Sequence, residues 1–464
     1  MEHFVNAVGA QPDASIADTV AAITWGGLDP RQLVERSVTT LRSYDEHLNV
    51  TVAAFCDQVG RQLSETDDSC TLPLKGIPVA VKDTFALPWR APRDGTGIAF
   101  RIPGRGASDI YRRLRAAGAI VLYATNMHQL GFGTTGHVSA DGPCRNPWNP
   151  ELCAGGSSGG SAVAVAVGAV PLAIGTDAAG SVRVPAAYCG VVGLKPTWGG
   201  LGHAGASSPS TLMSIGIFTR DSADCRTAAD ALLGRQVKPT GRPRVIGIPD
   251  VFWADLHPDV EARCRQALNS LRAAGFDVVE TKLDVDPVEI AHVVRTALSI
   301  ERRERLSDDW RREVEPALHP TIRAALAAAE SLSAADYAEV AAYRTLLCRQ
   351  VDSACSEVDV LAWPAAPAPP PALKRPRASL PSGEISSDQA VLRLAGLANL
   401  TGIPAMSMPC GFDRAGLPVG LGLHARWGGE HTLLNLAHRF EMHTEQQYLQ
   451  RPSPTLGLER SALS

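Results

Sequence analysis

Side chains of the types needed for acyl transfer stand far apart in the chain: Lys82, the adjacent hydroxyls of Ser157 and Ser158, and Ser181. A serine hydroxyl is a weak nucleophile until a neighbour takes its proton. The base can be a histidine, or a lysine kept neutral by burial. Lys82 follows the apolar run Ile77-Pro78-Val79-Ala80-Val81 and is placed to be such a lysine. Bringing its amine down to a pKa of about 7–8 costs roughly 3–5 kcal/mol, which desolvation and neighbouring groups must supply. Ser157 lies in GGSSGGS, where glycines permit unusual dihedrals and a close approach of backbone to ligand. Ser181 follows Ala178, Ala179 and Gly180, whose backbone N–H groups no bulky side chain covers. Such donors can form an oxyanion hole for a developing negative oxygen.

The surrounding segments read as α/β. The run ending at Lys82 fits a buried strand, and SDIYRRLRAAGAIVLYATN reads as a helix, a glycine stop and a second strand. The small residues of SAVAVAVGAV suit a closely packed helix, followed by the strand candidate VPLAIGT and the short apolar segment VVGLKPT. Residues 131–161 are rich in Gly, Pro, Asn and Ser and read as loop. Helices are expected over residues 15–60, 218–235 and most of 286–358, with the linker KPTGRPR before VIGIPD and a second helix–strand repeat ending in DVVET. LAWPAAPAPPPALKRP reads as an extended connector. The sheet pattern returns in LANLTGIPAMSMPCGF and LPVGLGLHA, before the helix EHTLLNLAHRFEMH. The expected architecture is one large domain over residues 1–464, with a central mixed twisted sheet covered by helices on both faces. Its core spans 60–235 and 385–450, with N-terminal helices at 15–60 and a helical excursion at 286–358.

Composition narrows the partners. With 45% hydrophobic and 20% charged residues, a formal net charge of −4 and a pI near 6.3, the chain gives no reason to expect nucleic acid or an anionic membrane. No run approaches the roughly 20 apolar residues of a membrane span, and the N-terminus lacks a secretory pattern. The ten cysteines are scattered without metal-ligand spacing, so no metal or cofactor is expected and a cytoplasmic location is. Other polar groups have plainer roles. Arg183 is expected to pair with Asp177, His128 to be a satisfied loop histidine, and His424, His431 and His438 to be ordinary helix or strand positions. Cys189 is read as core packing, and Ser158 and Ser161 as capping or packing the helix that follows. GLGHAG matches a dinucleotide fingerprint but opens no helix, and GGSSG matches a nucleophile elbow but follows no strand.

Several motifs in order, LKGIPVAVKD, TNMHQLGFGTTG, RNPWNP, GGSSGGSA, GTDAAGSVR, CGVVGLKPT and LANLTGIPAMSMPCGF, closely resemble the amidase-signature family. The resemblance spans about residues 15–235 and 385–450. It implies a triad of Lys82 as base, Ser157 as relay and Ser181 as nucleophile, spaced by 75 and 24 residues as in the family, with a cis Gly156–Ser157 peptide. It implies an oxyanion hole from the backbone of Ala178, Ala179 and Gly180, and an acyl pocket that includes Gly131, Phe132, Gly133 and Thr134. Ala179 stands where the family commonly has glycine. The expected activity is hydrolysis of a small-molecule carboxamide or related C–N bond to an acid and ammonia or an amine. Family enzymes are often homodimers. An alternative is the glutamine-dependent amidotransferase A-type subunit, which works on aminoacyl-tRNA with partner subunits. That type usually carries glutamine after the S-[IV]-R motif, where this chain has Val184. An esterase using Ser158 and a catalytically silent binding protein are the remaining readings.

Overall fold

A computed structural model describes residues 14–66, 72–100, 106–207, 210–234, 244–306 and 308–452. The N-terminal segment 1–13 and nearly all of the KPTGRPR linker lie outside them. Thirteen strands form: β1 (Thr51–Ala54), β2 (Pro78–Lys82), β3 (Ile120–Thr125), β4 (Leu172–Asp177), β5 (Val192–Lys195), β6 (Ser214–Thr219), β7 (Val245–Ile248), β8 (Asp277–Glu280), β9 (Val360–Pro364), β10 (Arg377–Leu380), β11 (Gly383–Ser386), β12 (Ala405–Phe412) and β13 (Pro418–His424). Eleven of them make one mixed sheet in the order β1-β3-β2-β4-β6-β5-β12-β13-β9-β7-β8, and β10 with β11 forms a separate hairpin.

Strand β2 runs parallel to both β3 and β4, and the chain reverses direction at each of the pairs β4–β6, β6–β5, β5–β12 and β12–β13. Every residue of β2, β3 and β4 is buried, as continuous apolar runs under two helical layers require. Alternation along the strand assigns the faces: Val79 and Val81 join one apolar cluster, and Ala80 between them joins another. The single-domain α/β architecture with helices on both faces is therefore as the sequence predicts.

The helix Gly159–Ala166 is wholly buried against the β2–β4 region. Its small residues are needed there: a Cβ on Gly160 would lie 2.4 Å from the Val50 carbonyl oxygen. On the far side, helix Pro287–Arg305 crosses helix Ser387–Thr401 closely enough that a Cβ on Gly396 would meet Ile290 Cγ2 at 2.7 Å. Helices Pro320–Ala328 and Ala334–Glu357 follow. A small apolar cluster of Leu130, Val138, Val314, Ile322 and Leu326 joins helix Pro320–Ala328 and the residues before it to the loop after β3.

Four local readings change. LAGLANLT, read with the sheet pattern of the tail, belongs to helix Ser387–Thr401, and the strand begins only at Ala405. Residues 15–60 hold the edge strand β1 as well as helices, and residues 218–219 end strand β6 rather than start a helix. The connector is shorter than its composition suggests, because Val360–Pro364 pairs with both β13 and β7 and only the residues after it leave the sheet.

Candidate active site

Lys82 closes β2, an interior strand between β3 and β4, and is 1% exposed. In the parallel register Val81 faces Ile174, which brings the lysine amine beside the end of β4. Its Nζ lies 2.7 Å from Ser157 Oγ and 2.7 Å from Thr176 Oγ1. Burial pulls its pKa down to about 7; Asp94 and Asp177 oppose that shift and Arg302 adds to it. A substantial neutral fraction at neutral pH follows.

Ser157 stands just before helix Gly159–Ala166, on a cis Gly156–Ser157 peptide. Backbone bonds fix it on both sides: Gly156 N donates to the Thr134 carbonyl at 2.7 Å and His128 N to the Ser157 carbonyl at 3.0 Å. Glycine is required at 156, where a Cβ would sit 2.7 Å from Gly136 N. Ser181 lies in the turn between β4 and helix Arg183–Cys189, and its carbonyl accepts from Ser158 N at 3.3 Å. Lys82, Ser157, Thr176, Ala178 and Ser181 line one narrow chamber of about 30 Å³. The three candidate catalytic residues are thus brought together, and Thr176, which the sequence did not single out, joins them.

The turn bearing Ser181 is shaped by Asp177. This buried carboxylate accepts from Gly180 N at 2.7 Å, Val182 N at 3.2 Å, Arg183 Nε at 3.0 Å and Asn399 Nδ2 at 3.0 Å. Burial pushes its pKa upward, but the Arg183 guanidinium and these bonds outweigh that and hold it below the ordinary carboxylate range. The expected Asp177–Arg183 pair is present, with both side chains almost fully buried. One oxyanion assignment needs correction. The Gly180 N–H is already committed to Asp177 and is not a free donor. The N–H groups of Ala178, Ala179 and Ser181 donate to no acceptor among the described residues.

Beyond the chamber lies a larger cavity of about 510 Å³. The two share Gly131, Ser181, Leu298 and Arg302 as walls. Gly131, Phe132, Gly133 and Thr134 all line the larger one, as does Ala179. Helices Pro287–Arg305 and Pro320–Ala328 supply the opposite side. Asp388 closes an end by accepting from Thr134 N at 2.7 Å and Thr134 Oγ1 at 2.6 Å.

The plainer roles also find their places. Ser158 Oγ donates to the Thr176 carbonyl at 3.1 Å and accepts from Thr176 N at 3.3 Å, so it packs the helix onto β4 and is no free nucleophile. Ser161 does likewise through the Ile174 carbonyl at 3.0 Å. His128 Nδ1 accepts from Gly136 N at 3.2 Å. Cys189 is buried with its thiol raised well above its usual value by burial. His424 stacks on Trp363 with centroids 3.6 Å apart, and His431 lies 3.0 Å from Asp230. Among the described residues no group of three or more His, Cys, Asp or Glu side chains is placed to hold a metal ion, and no helix is long and apolar enough to cross a membrane.

An α/β domain with two serines and a buried lysine at one end of its sheet defines a class, and comparison with known proteins identifies it. The Amidase family model matches residues 32–434, and the chain belongs to that amidase-signature family, whose chemistry is C–N bond cleavage. Curated relatives include the A-type subunit of glutamyl-tRNA(Gln) amidotransferase from Moorella thermoacetica, 32% identical over 83% of this chain and 86% of the relative. The protein of the same name from Synechococcus sp. (strain WH7803) is 30% identical over 92% of this chain and 96% of its own. A solved amidase structure superposes with a TM-score of 0.85 at 30% identity, covering 92% of this chain and 99% of the other.

Proposed function

We propose that this chain cleaves a carboxamide, or a related C–N bond, through an acyl-enzyme on Ser181. The observation that carries the reading is the buried Lys82 amine 2.7 Å from Ser157 Oγ, in a chamber whose wall includes Ser181. Neutral Lys82 draws the proton of Ser157, and Ser157 draws that of Ser181 as its oxygen attacks the carbonyl carbon. The amides of Ala178, Ala179 and Ser181 receive the carbonyl oxygen as it gains charge. The relay then hands a proton to the departing nitrogen, which leaves as ammonia or an amine, and water releases the acid from Ser181. The acyl portion occupies the cavity walled by Gly131, Phe132, Gly133 and Thr134. A hydrolysis screen over amides, carbamates and ureas, with Ser181→Ala as blank, tests this. Product release equal in enzyme and blank overturns it.

A second reading shares the acyl-enzyme but sends the ammonia elsewhere. Both curated relatives described above are A-type amidotransferase subunits, which supports a role in which glutamine is the amide and partner subunits use the nitrogen. Val184, where that type usually has glutamine, supports the free-standing amidase. The two separate on one measurement: ammonia release from glutamine by the isolated chain, compared with release in the presence of a smaller co-purified partner protein. Activity that appears only with the partner selects the second reading.

A further inference from the structure

Two charged groups of the catalytic chamber have no part in the three-residue relay. Arg302, near the end of helix Pro287–Arg305, donates from Nη2 to the Gly131 carbonyl at 2.7 Å. Its guanidinium carbon lies 3.9 Å from the centre of the Phe132 ring. A Cβ built on Gly131 would be 3.5 Å from Ser157 Oγ and 3.6 Å from Arg302 Nη2, so the guanidinium and the relay hydroxyl crowd the same backbone residue. Asp94 lines the same chamber as Lys82, Ser157 and Arg302. Its carbonyl accepts from Leu130 N at 2.8 Å, one residue before Gly131. Asp94 adopts φ 52°, a left-handed conformation that Asp and Asn tolerate better than other side chains. Arg302 and Asp94 thus bond to adjacent points of the 130–131 backbone, and both line Lys82's chamber.

We propose that Arg302 and Asp94 are positioning residues: they line Lys82's chamber as two opposite charges bonded to adjacent backbone points, and Arg302 holds Gly131 against Ser157. The inference rests on the Ser181 acyl-enzyme reading. A cation nearby makes it harder for Lys82 to hold a proton, and a carboxylate makes it easier. The charges that act on Lys82 are Asp94 and Asp177, which favour its protonated form, and Arg302, which disfavours it. Buried His128 also senses Lys82, but burial keeps that imidazole neutral. Asp177 is bonded to Arg183 and the Ser181 turn, while Asp94 and Arg302, which also attract one another, are the two opposite charges that line the chamber with the amine.

The test measures the rate at which a fluorophosphonate labels Ser181 from pH 5.5 to 9.5 in the full chain. Labelling needs neutral Lys82 and no knowledge of the natural substrate. In the unmodified protein the rate should rise through about pH 7. Arg302→Gln should move that midpoint up by about half a unit or more, and Asp94→Asn should move it down. Arg302→Lys keeps the charge but not the planar fork. It should leave the midpoint near its original place while lowering the plateau severalfold as Gly131 loosens. Midpoints of Arg302→Gln and Asp94→Asn that stay with the parent, or move in the same direction, overturn the proposal. So does an Arg302→Gln effect confined to KM for a turned-over amide, which would make Arg302 a substrate contact. Thermal melts establish that each variant is folded, and if Arg302→Gln is not, Asp94→Asn still decides the direction. Labelling that persists in Ser181→Ala overturns the acyl-enzyme reading and this inference with it. Loss of labelling there with unmoved midpoints overturns the inference alone.

Discussion

Lys82 and Lys195 are close to a matched pair. Each is the last residue of a fully buried strand in the same sheet, and burial draws each down to a pKa of about 7. What lies beyond the amine differs. Lys82 meets the hydroxyls of Ser157 and Thr176 at 2.7 Å each, in a chamber that leads to Ser181 and the larger cavity. Lys195 meets the Pro196 carbonyl at 3.0 Å and Ser214 Oγ at 3.4 Å, behind the Asp177–Arg183 pair. Neither cavity described above counts Lys195 among its walls. A depressed pKa therefore marks burial and does not by itself mark a base. In the proposed mechanism the base is the amine whose proton has a path to a nucleophile.

The comparison is sharpest in activity. Lys82→Ala and Ser181→Ala should each lower amide hydrolysis or phosphonate labelling by about a thousandfold or more. Lys195→Met should keep the labelling rate within about threefold. Comparable losses at both lysines would erase the distinction. The next effect is on stability. Arg183→Met strands the buried Asp177 carboxylate beside Lys195 and should cost about 3–5 kcal/mol in chemical denaturation. A cost below about 1 kcal/mol would show that Asn399 and the turn amides suffice to hold Asp177. Ser158→Ala removes both bonds to Thr176 and should cost about 1–3 kcal/mol, with labelling of Ser181 retained. Abolished labelling in that folded variant would restore Ser158 as a nucleophile.

The gentlest effect concerns pH. Between about pH 7, where folded Lys195 titrates, and about 10.4, where an unfolded lysine does, the unfolded chain holds a proton that the folded chain has released. Raising pH across that window therefore favours the folded state on account of this residue. Lys195→Met should remove that gain and change the slope of melting temperature against pH between 7 and 9.5 in the destabilising direction. Parallel slopes in parent and variant would mean that Lys195 stays protonated in the fold.

Much of the architecture was legible from apolar runs. IPVAVK, AIVLYA, VPLAIGT and VIGI lie in strands because residues buried on both faces must be apolar throughout. β1 and the β10–β11 hairpin lacked that signal, since they lie at the sheet edge or outside the sheet and are partly exposed. β6 (SIGIFT) carries glycine and serine among its apolar residues and needs β4 and β5 on either side to be a strand. VLAWP was obscured by the prolines that follow it, although it is fully buried and pairs with a strand on each side. At the site, residue types alone nominated small residues before Ser181 but not the direction of their N–H groups. The Asp177 side chain claims Gly180's amide, while Ser181's donates to no acceptor among the described residues.

The sequence by itself determined the kinds of group available: two hydroxyls on glycine-rich turns, lysines ending apolar strands, and a mixed α/β pattern to carry them. Lys82 was nominated because it ends the apolar run IPVAV, yet the lysine of VGLKP ends an apolar strand in the same way. The tertiary structure supplies the physical reason that separates the two. Strand order puts Lys82 next to β4 and opposite Ser157, whereas Lys195 is turned toward a backbone carbonyl. Proton transfer needs contact across chain separations that local sequence does not encode, and only the packed sheet brings those atoms within hydrogen-bond reach.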